Sequence, residues 1–223
     1  MTLIGKEEKM KKRLQKLAIL VVGALIVLSS PYSFAAEKKG DVKFTHKTVA
    51  LQLALRDLWV GHIFWVRNVV LATKYGDADA AMVAENKVVE DARAIAAAIE
   101  PIYGKDASEK LFSLLAGHYG AIKEYMTAAF AGNTDAKGAA VEKIKKNADE
   151  IATFLSSANP NWPKQTLVDL LMAHGAQHIA QIDQVNSKDF SSEAKTWEDM
   201  KNHIYMVADA LAGGVVKQFP SKF

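Results

Sequence analysis

Apolar residues recur at intervals of three and four from about residue 47 to the end of the chain, which is the period of amphipathic α-helices. No stretch shows the strict alternation of apolar and polar residues that a half-buried strand would have. Glycine or proline lies in most of the breaks between apolar stretches, since glycine accepts the left-handed conformation that ends a helix and proline lacks the backbone N–H. The pattern predicts six helices, over residues 47–74, 79–102, 108–131, 135–157, 164–185 and 192–216.

One motif within this pattern occurs three times, at a spacing of 56 residues. It has the form Leu-x-x-Leu, an apolar residue, any residue, a small residue and His, and it ends at His62, His118 and His174. Each 56-residue unit contains two helices, and one αα-hairpin cannot bury its apolar face alone. We therefore predict an all-α fold, a single domain at residues 47–223 in which three tandem αα-hairpins form a closed antiparallel bundle of six helices.

A polar residue interrupts the apolar stripe of each predicted helix. In each hairpin the two polar residues lie at equal distances from the turn, so an antiparallel arrangement brings them to the same height. The sequence therefore predicts one buried polar layer across the bundle, composed of His62, Asp91, His118, Asn147, His174 and His203.

The composition of this layer indicates a transition-metal site. Neutral imidazole is a good ligand for Zn, Cu, Ni and Fe, and helical bundles often hold metals between facing helices. The predicted ligands are His62, His118, His174, His203 and Asp91. Outer positions that orient the ligands are assigned to Asn147, His178 and Asp209, although His178 is one turn from His174 and could chelate an ion with it.

Two other interpretations of the layer stay open. Its side chains could satisfy one another in a hydrogen-bond network that only specifies packing, because buried polar groups are normally paired. They could also line a pocket for a small ligand. Outside the layer, Arg67 is expected to bind an anion or form a salt bridge, and His46 is expected to be exposed.

The first 36 residues have the features of a signal peptide. A basic stretch at 6–16 precedes twelve apolar residues at 17–28, and Ser33-Phe34-Ala35 fits the small-x-small pattern of a cleavage site. A polar leader at 37–46 is expected to follow. Twelve apolar residues fall short of the ~20 that span a bilayer. The pattern favours export to the periplasm or exterior of a bacterium, with no stable membrane span after cleavage, over an uncleaved anchor.

Removal of this segment changes the charge of the chain. The full sequence has 28 Lys and Arg against 25 Asp and Glu, but six of the basic and two of the acidic residues lie within residues 1–35. The remainder holds 22 basic and 23 acidic residues, a formal net charge of −1. Because the mature chain has no basic bias, a metal ion or a small ligand is a more probable partner class than nucleic acid.

The residues present also restrict the chemistry. The chain has no cysteine, which excludes disulfides, thiolate metal ligands and a haem-attachment motif. No nucleotide-binding loop, nucleophile elbow or zincin motif occurs, and the Glu-x-x-His pattern of di-iron bundles is missing. The sequence favours an exported metal-binding carrier, sensor or protein with another metal-dependent role over an enzyme. The alternative is a non-enzymatic envelope interaction module whose polar layer is purely structural.

Several short motifs resemble a family of small exported bacterial proteins that are all-helical and have no established function. The motifs are Trp59-Val-Gly-His62-Ile-Phe-Trp-Val-Arg67, Pro101-Ile-Tyr-Gly104, Leu114-Leu-Ala-Gly-His118, Asn147-Ala-Asp-Glu-Ile151, Asn159-Pro-Asn-Trp-Pro163 and Gln218-Phe-Pro220. The resemblance implies the helical fold and the polar layer, and Asp91 departs from it because Asn is expected there. Members sometimes carry a glycosyltransferase label, but this sequence has no Asp-x-Asp motif in an α/β nucleotide fold to support it.

Overall fold

The computed structural model describes residues 45–223, and these residues are almost entirely helical. The predicted signal peptide and most of the predicted leader lie outside the described residues. No strand occurs within residues 45–223, so the prediction of an all-α helical bundle is confirmed. The helices are α1 (His46–Tyr75), α2 (Ala78–Ala97), α3 (Glu100–Tyr103), α4 (Lys105–Phe130), α5 (Thr134–Ala158), α6 (Lys164–Ser187) and α7 (Phe190–Gln218).

Each long helix packs against the next long helix in the chain, and α7 packs against α1. The apolar stripe that the leucine spacing predicts is the face buried in these contacts. α6 has additional contacts with both α1 and α4, which places it nearer the middle of the bundle than its neighbours. Side chains of α6 can therefore meet side chains from two helices that are distant in sequence.

The α1–α2, α4–α5 and α6–α7 turns have the same backbone construction. A residue just after each first helix adopts the left-handed conformation, namely Gly76, Gly132 and Lys188, with φ values of 78°, 67° and 61°. The following residue caps the second helix, because its side-chain oxygen accepts a hydrogen bond from a backbone N–H three positions ahead. These caps are Asp77 to Ala80, Asn133 to Ala136 and Asp189 to Ser192, at 2.9, 3.0 and 3.1 Å.

The second predicted helix is shorter than its apolar pattern indicates. α2 ends at Ala97, and the one-turn helix α3 follows two residues later. Pro101 explains the break, since proline has no backbone N–H and its ring clashes with the carbonyl four residues earlier, which belongs to Ala97. The prediction of one continuous helix over residues 79–102 is therefore wrong. Gly104, at a φ of 85°, then leads the chain into α4.

Polar residues divide the core into two apolar clusters. On α1, the first cluster includes Leu55 and Trp59, the second includes Val66 and Val69, and His62 lies between them. The same order occurs on α4, with Leu115, His118 and Ile122, and on α6, with Leu171, His174, His178 and Ile182. Apolar side chains therefore enclose the histidines from both directions along the bundle.

Trp162, in the loop between α5 and α6, fills the end of the first apolar cluster. Its side chain is 3% exposed, and its indole N–H donates to the Ala210 carbonyl at 3.2 Å. The indole lies so close to α7 that a Cβ at Gly214 would overlap it. Glycine at position 214 therefore allows the tryptophan to enter the core.

Candidate metal centre

Four imidazole rings meet at the level where the two apolar clusters separate. α1 contributes His62, α4 contributes His118, and α6 contributes both His174 and His178. One ring nitrogen from each residue lies within 4.8 Å of the corresponding nitrogens of the other three. The ring centroids are 4.4 to 6.4 Å apart, and no ring is more than 5% exposed.

The helical spacing explains why α6 supplies two of the rings. Residues four apart lie one above the other on a helix face, so His174 and His178 point in the same direction. Their Nε2 atoms are 3.1 Å apart. Because α6 contacts both α1 and α4, this pair meets both His62 and His118, with ring centroids 5.6 to 6.3 Å apart.

Most nitrogens of the four rings have no hydrogen-bond partner among residues 45–223. The only hydrogen bond within the cluster joins His174 and His178 through their Nε2 atoms. The unpartnered buried nitrogens are His62 Nδ1, His118 Nδ1, His118 Nε2, His174 Nδ1 and His178 Nδ1. A buried polar atom without a partner typically costs ~1–3 kcal/mol, and such atoms are few in folded proteins. Their concentration at one place is the feature that a functional account has to explain.

Burial keeps the rings neutral at physiological pH. It lowers the pKa of His62 to about 3, with the nearby His118 ring acting in the same direction. Burial also lowers the pKa of His118 to about 4, and the adjacent Asn147 amide offsets part of that shift without reaching hydrogen-bond geometry. The pKa values of His174 and His178 are well below the usual value, first through burial and then through the neighbouring imidazoles. A neutral imidazole offers the lone pair that metal binding requires.

The geometry of the four nitrogens can accommodate a metal ion. A tetrahedral site with metal–nitrogen distances of ~2.0–2.1 Å separates its nitrogens by roughly 3.3 Å. The His174–His178 separation of 3.1 Å is already close to this value, and the nitrogens of all four residues lie within 4.8 Å of one another. Four buried histidines could therefore hold a transition metal, as the sequence predicts in outline.

The ligand set differs from the predicted one at two histidines. His203 lies outside the cluster, because its Nε2 is 2.8 Å from the Leu170 carbonyl oxygen and is used in that hydrogen bond. His178 takes its place, although the predicted position of His178 is an outer one. The signal for His178 is its spacing of four residues from His174 on the same stripe.

Asp91, the predicted carboxylate ligand, is not one of the four grouped residues. Its side chain lies against Gly61, where an added Cβ would be 3.1 Å from Oδ2. That oxygen is buried and makes no hydrogen bond within the described residues. Burial raises the pKa of Asp91, and the charge of Glu90 acts in the same direction. The structure thus places Asp91 beside the residue that precedes His62, with one unpartnered oxygen.

Asn147 and His203 occupy corresponding positions and make corresponding hydrogen bonds. The Asn147 amide donates to the Leu114 carbonyl at 3.0 Å, as His203 does to Leu170. The acceptor precedes the polar residue by 33 positions in both cases. Asn147 also lies beside His118, and its predicted role in orienting a ligand stays a prediction.

Two predicted residues form ion pairs away from the four rings. Asp209 is paired with Arg56, whose Nε lies 2.7 Å from Oδ1, so it does not orient a histidine as predicted. Arg67 forms the salt bridge that was one of its two expected roles, with distances of 2.6 and 2.8 Å to the carboxylate of Glu193. Gln181 also donates to Glu193, at 2.9 Å.

Glu193 and Gln181 are buried polar residues that sequence reasoning missed. Glu193 lies in the first turn of α7, where an acidic residue is usually a solvated helix-end charge, yet it is 2% exposed. Gln181 follows His178 by three residues on the same face of α6, and that spacing was the available signal. His46, in contrast, is exposed as predicted.

Comparisons with protein-family models, with curated proteins and with solved structures find no match for this chain. The family resemblance of the short motifs therefore stays a prediction.

Proposed function

We propose that this protein binds one transition-metal ion through His62, His118, His174 and His178. The observation that carries the proposal is the convergence of four buried, neutral imidazoles whose nitrogens are largely without hydrogen-bond partners. A purely structural polar layer would pair its members, as His203 is paired with the Leu170 carbonyl. Coordination to an ion would use the nitrogens that hydrogen bonding leaves free.

The enclosure of the rings supports a storage, carrier or sensor role over catalysis. Each ring is at most 5% exposed, and apolar side chains lie on both sides of the cluster. A catalytic metal keeps a coordination position that a substrate can reach, whereas a closed set of four protein ligands is typical of structural or storage sites. The proposed role is therefore to hold an ion.

We further propose that the protein acts outside the cytoplasm, as the N-terminal sequence and the resemblance to exported helical proteins suggest. Among the described helices, α1 is the one that is long and apolar enough to cross a membrane by length and composition. In its most apolar stretch of 18 residues, 28% of the residues are buried in the bundle. Its side chains Trp59, His62 and Val66 belong to the core. These contacts favour a core role for α1 over a membrane span.

The architecture we propose is a closed bundle of three repeated hairpins. Support for the repeat comes from backbone details that recur at intervals of 56 residues. The left-handed positions are 76, 132 and 188, and the capping positions are 77, 133 and 189. Support for closure comes from the packing of the last long helix against the first.

Elemental analysis of protein purified without a histidine tag tests the metal-binding proposal. We expect one equivalent of a transition metal per chain, either as isolated or after reconstitution with Zn, Cu, Ni or Fe. The double variant His118→Ala, His174→Ala should lose this metal. The matched control is His203→Asn, which retains the capacity to donate to the Leu170 carbonyl as Asn147 donates to Leu114.

The contrary result is equally clear. If the protein contains no metal, and if its melting temperature does not change when any of these ions is added, the four-histidine site is not a metal site. The alternative of a structural polar layer in an envelope interaction module would then explain the cluster. In that case His118→Gln should lower stability without changing partner binding.

A further inference from the structure

An apolar cavity of about 40 Å³ lies within the first apolar cluster. Fifteen residues line it, all of them hydrophobic, and twelve of the fifteen fall into four sets of three at intervals of 56 residues. The first helices of the three hairpins provide two of these sets, which are Leu55, Leu111 and Leu167, and Trp59, Leu115 and Leu171. These are the first and fifth positions of the repeated motif that ends in histidine. The motif therefore forms this cavity as well as the ring cluster.

The cavity lies one helical turn from the rings. Trp59 precedes His62 by three residues, ~4.5 Å along a helix axis, and Leu115 and Leu171 precede the histidines of α4 and α6 by the same interval. The indole of Trp59 lines the cavity and also packs edge-on against His62 and His174, with ring centroids 6.0 and 6.5 Å apart. A molecule in the cavity would thus be separated from two of the rings by a single side chain.

The polarity of the lining excludes water and charged ligands. A buried water needs roughly two to four hydrogen-bond partners. The polar side-chain atoms of the lining are the two indole N–H groups of Trp59 and Trp162, and that of Trp162 already donates to the Ala210 carbonyl. The N–H of Trp59 is buried and has no partner within residues 45–223. Apolar cavities of this kind stay dry and take apolar molecules.

The volume of the cavity restricts the size of its ligand. One water occupies ~30 Å³ of the liquid, and a cavity of ~150 Å³ is large enough for benzene. A cavity of about 40 Å³ lies near the lower of these limits, so it fits a molecule of about two or three heavy atoms.

The cavity comes close to solvent on one side. Ile99, Leu170 and Leu211 are only half-buried, whereas the other twelve lining residues are buried. A half-buried side chain in the lining contacts both the cavity and the solvent, so single side chains separate the two at these positions. A gas-sized molecule therefore has a shorter path to the cavity than an ion has to the enclosed rings.

One position in the repeat keeps part of this space open. The second helices contribute the equivalent set Ile95, Ile151 and Val207 to the lining, and valine is one methylene group smaller than isoleucine. Protein cores normally leave few voids larger than a water molecule. Isoleucine at position 207, as in the other two hairpins, would occupy much of the space that valine leaves.

We propose that this cavity binds one small, uncharged, apolar molecule, namely a dissolved gas of the size of dioxygen, nitric oxide or carbon monoxide. Such a molecule gains by leaving water and by making dispersion contacts with the lining. The inference goes beyond the proposed metal-binding function and does not depend on it, because the ring nitrogens take no part in the lining.

Xenon and carbon monoxide are the probes for this site, and both are applied to the metal-free protein so that carbon monoxide meets no metal. Crystals pressurised with xenon should show one anomalous-scattering peak per chain, in contact with Trp59. In solution, the xenon resonance should shift saturably with one site per chain, and carbon monoxide should compete for that site. Xenon should also shift the ring resonances of His62 and His174, which Trp59 contacts, and leave those of the exposed His46 unchanged.

Three variants test the position and the size of the site. Val207→Ile should weaken xenon binding by about tenfold, because the added methyl group enters the cavity. Val69→Ile is the matched control at a buried valine of the second apolar cluster, and it should leave xenon binding unchanged. Leu111→Ala enlarges the cavity, so benzene should raise the melting temperature of this variant and not that of the wild type.

The outcomes separate this inference from the proposed function. No saturable xenon binding in solution, a xenon peak away from Trp59, or unchanged xenon affinity in Val207→Ile would each overturn the gas site. A rise in the melting temperature of the wild type with benzene would overturn the size limit. None of these results bears on the four histidines, and a protein that binds xenon but no metal would overturn only the proposed function.

Discussion

The low pKa values of the buried histidines predict that the metal-free protein loses stability when the pH falls from 7 to 5. A histidine in the unfolded chain has a pKa of about 6.5, whereas burial lowers the pKa of His62 to about 3 and that of His118 to about 4. Below pH 6.5 the unfolded chain therefore binds protons that the folded protein does not. The stability contributed by neutral burial is fully present above pH 6.5 and is lost as the pH falls.

The expected loss is large compared with the stability of a small domain. Between pH 7 and pH 5, a histidine with either of these folded-state pKa values loses about 1.8 kcal/mol, and His62 and His118 together lose about 4 kcal/mol. The pKa values of His174 and His178 shift in the same direction and add to this loss. Domains of this size are usually stable by ~5–15 kcal/mol, so the metal-free protein should lose a large part of its stability by pH 5.

Urea denaturation followed by circular dichroism measures this effect. The protein is first freed of metal with a chelator, and the free energy of unfolding is then determined at pH 7, 6 and 5. Most carboxylates have pKa values below ~4.5 and contribute little in this window. His118→Gln should remove about 1.8 kcal/mol of the pH-dependent loss, and His46→Gln is the control substitution at an exposed histidine. A total loss below about 1 kcal/mol between pH 7 and 5 would refute the neutral buried cluster.

Three further predictions concern the packing of α7, the α6–α7 turn and the metal site. Gly214→Ala should destabilise the protein by about 3 kcal/mol because a Cβ at this position overlaps Trp162. Gly213→Ala, where the added Cβ meets open space, should stabilise the protein by ~0.5–1 kcal/mol. Urea denaturation of both variants measures the two effects, and equal effects would contradict the prediction. Lys188→Gly should raise the unfolding free energy by about 1 kcal/mol because Lys188 has a positive φ, while Lys188→Ala should give no such gain. Adding metal to a thousandfold excess over its Kd should stabilise the metal-free protein by about 4 kcal/mol in the same assay. The absence of any gain would contradict binding of the metal to the folded protein.

The helices and hairpin turns could be predicted from the sequence because the residues that determine them are close together along the chain. Gly76 and Gly132 mark two of the left-handed positions directly. Lys188 occupies the third, and only the repeat spacing points to it, since lysine has no preference for that conformation. Pro101 lies within the second predicted helix. The apolar pattern continues across it and predicts one helix, but the proline ring clashes with the Ala97 carbonyl and breaks that helix.

The site could be predicted from the sequence only in part. Periodicity shows which face of a helix is buried, but it does not show which residues of other helices that face contacts. His62, His118 and His174 lie on buried stripes and meet as predicted. His203 is also buried on its stripe, but it faces the Leu170 carbonyl of α6. Whether a core histidine meets a backbone carbonyl or another ring depends on the rotation of each helix and on the distances between helices. Those quantities depend on the packing of the whole core, and local sequence patterns do not reveal it.

The burial of the four rings also has a kinetic consequence. Neither face of the cluster is open to solvent, since each ring is at most 5% exposed. Anything bound to the ring nitrogens can therefore enter or leave only when helices separate. The half-life of such a complex would be set by the opening rate of the bundle and not by the strength of individual bonds to nitrogen. Because His174 and His178 share α6, that helix alone could keep two contacts during opening, so release would proceed stepwise from α1 and α4.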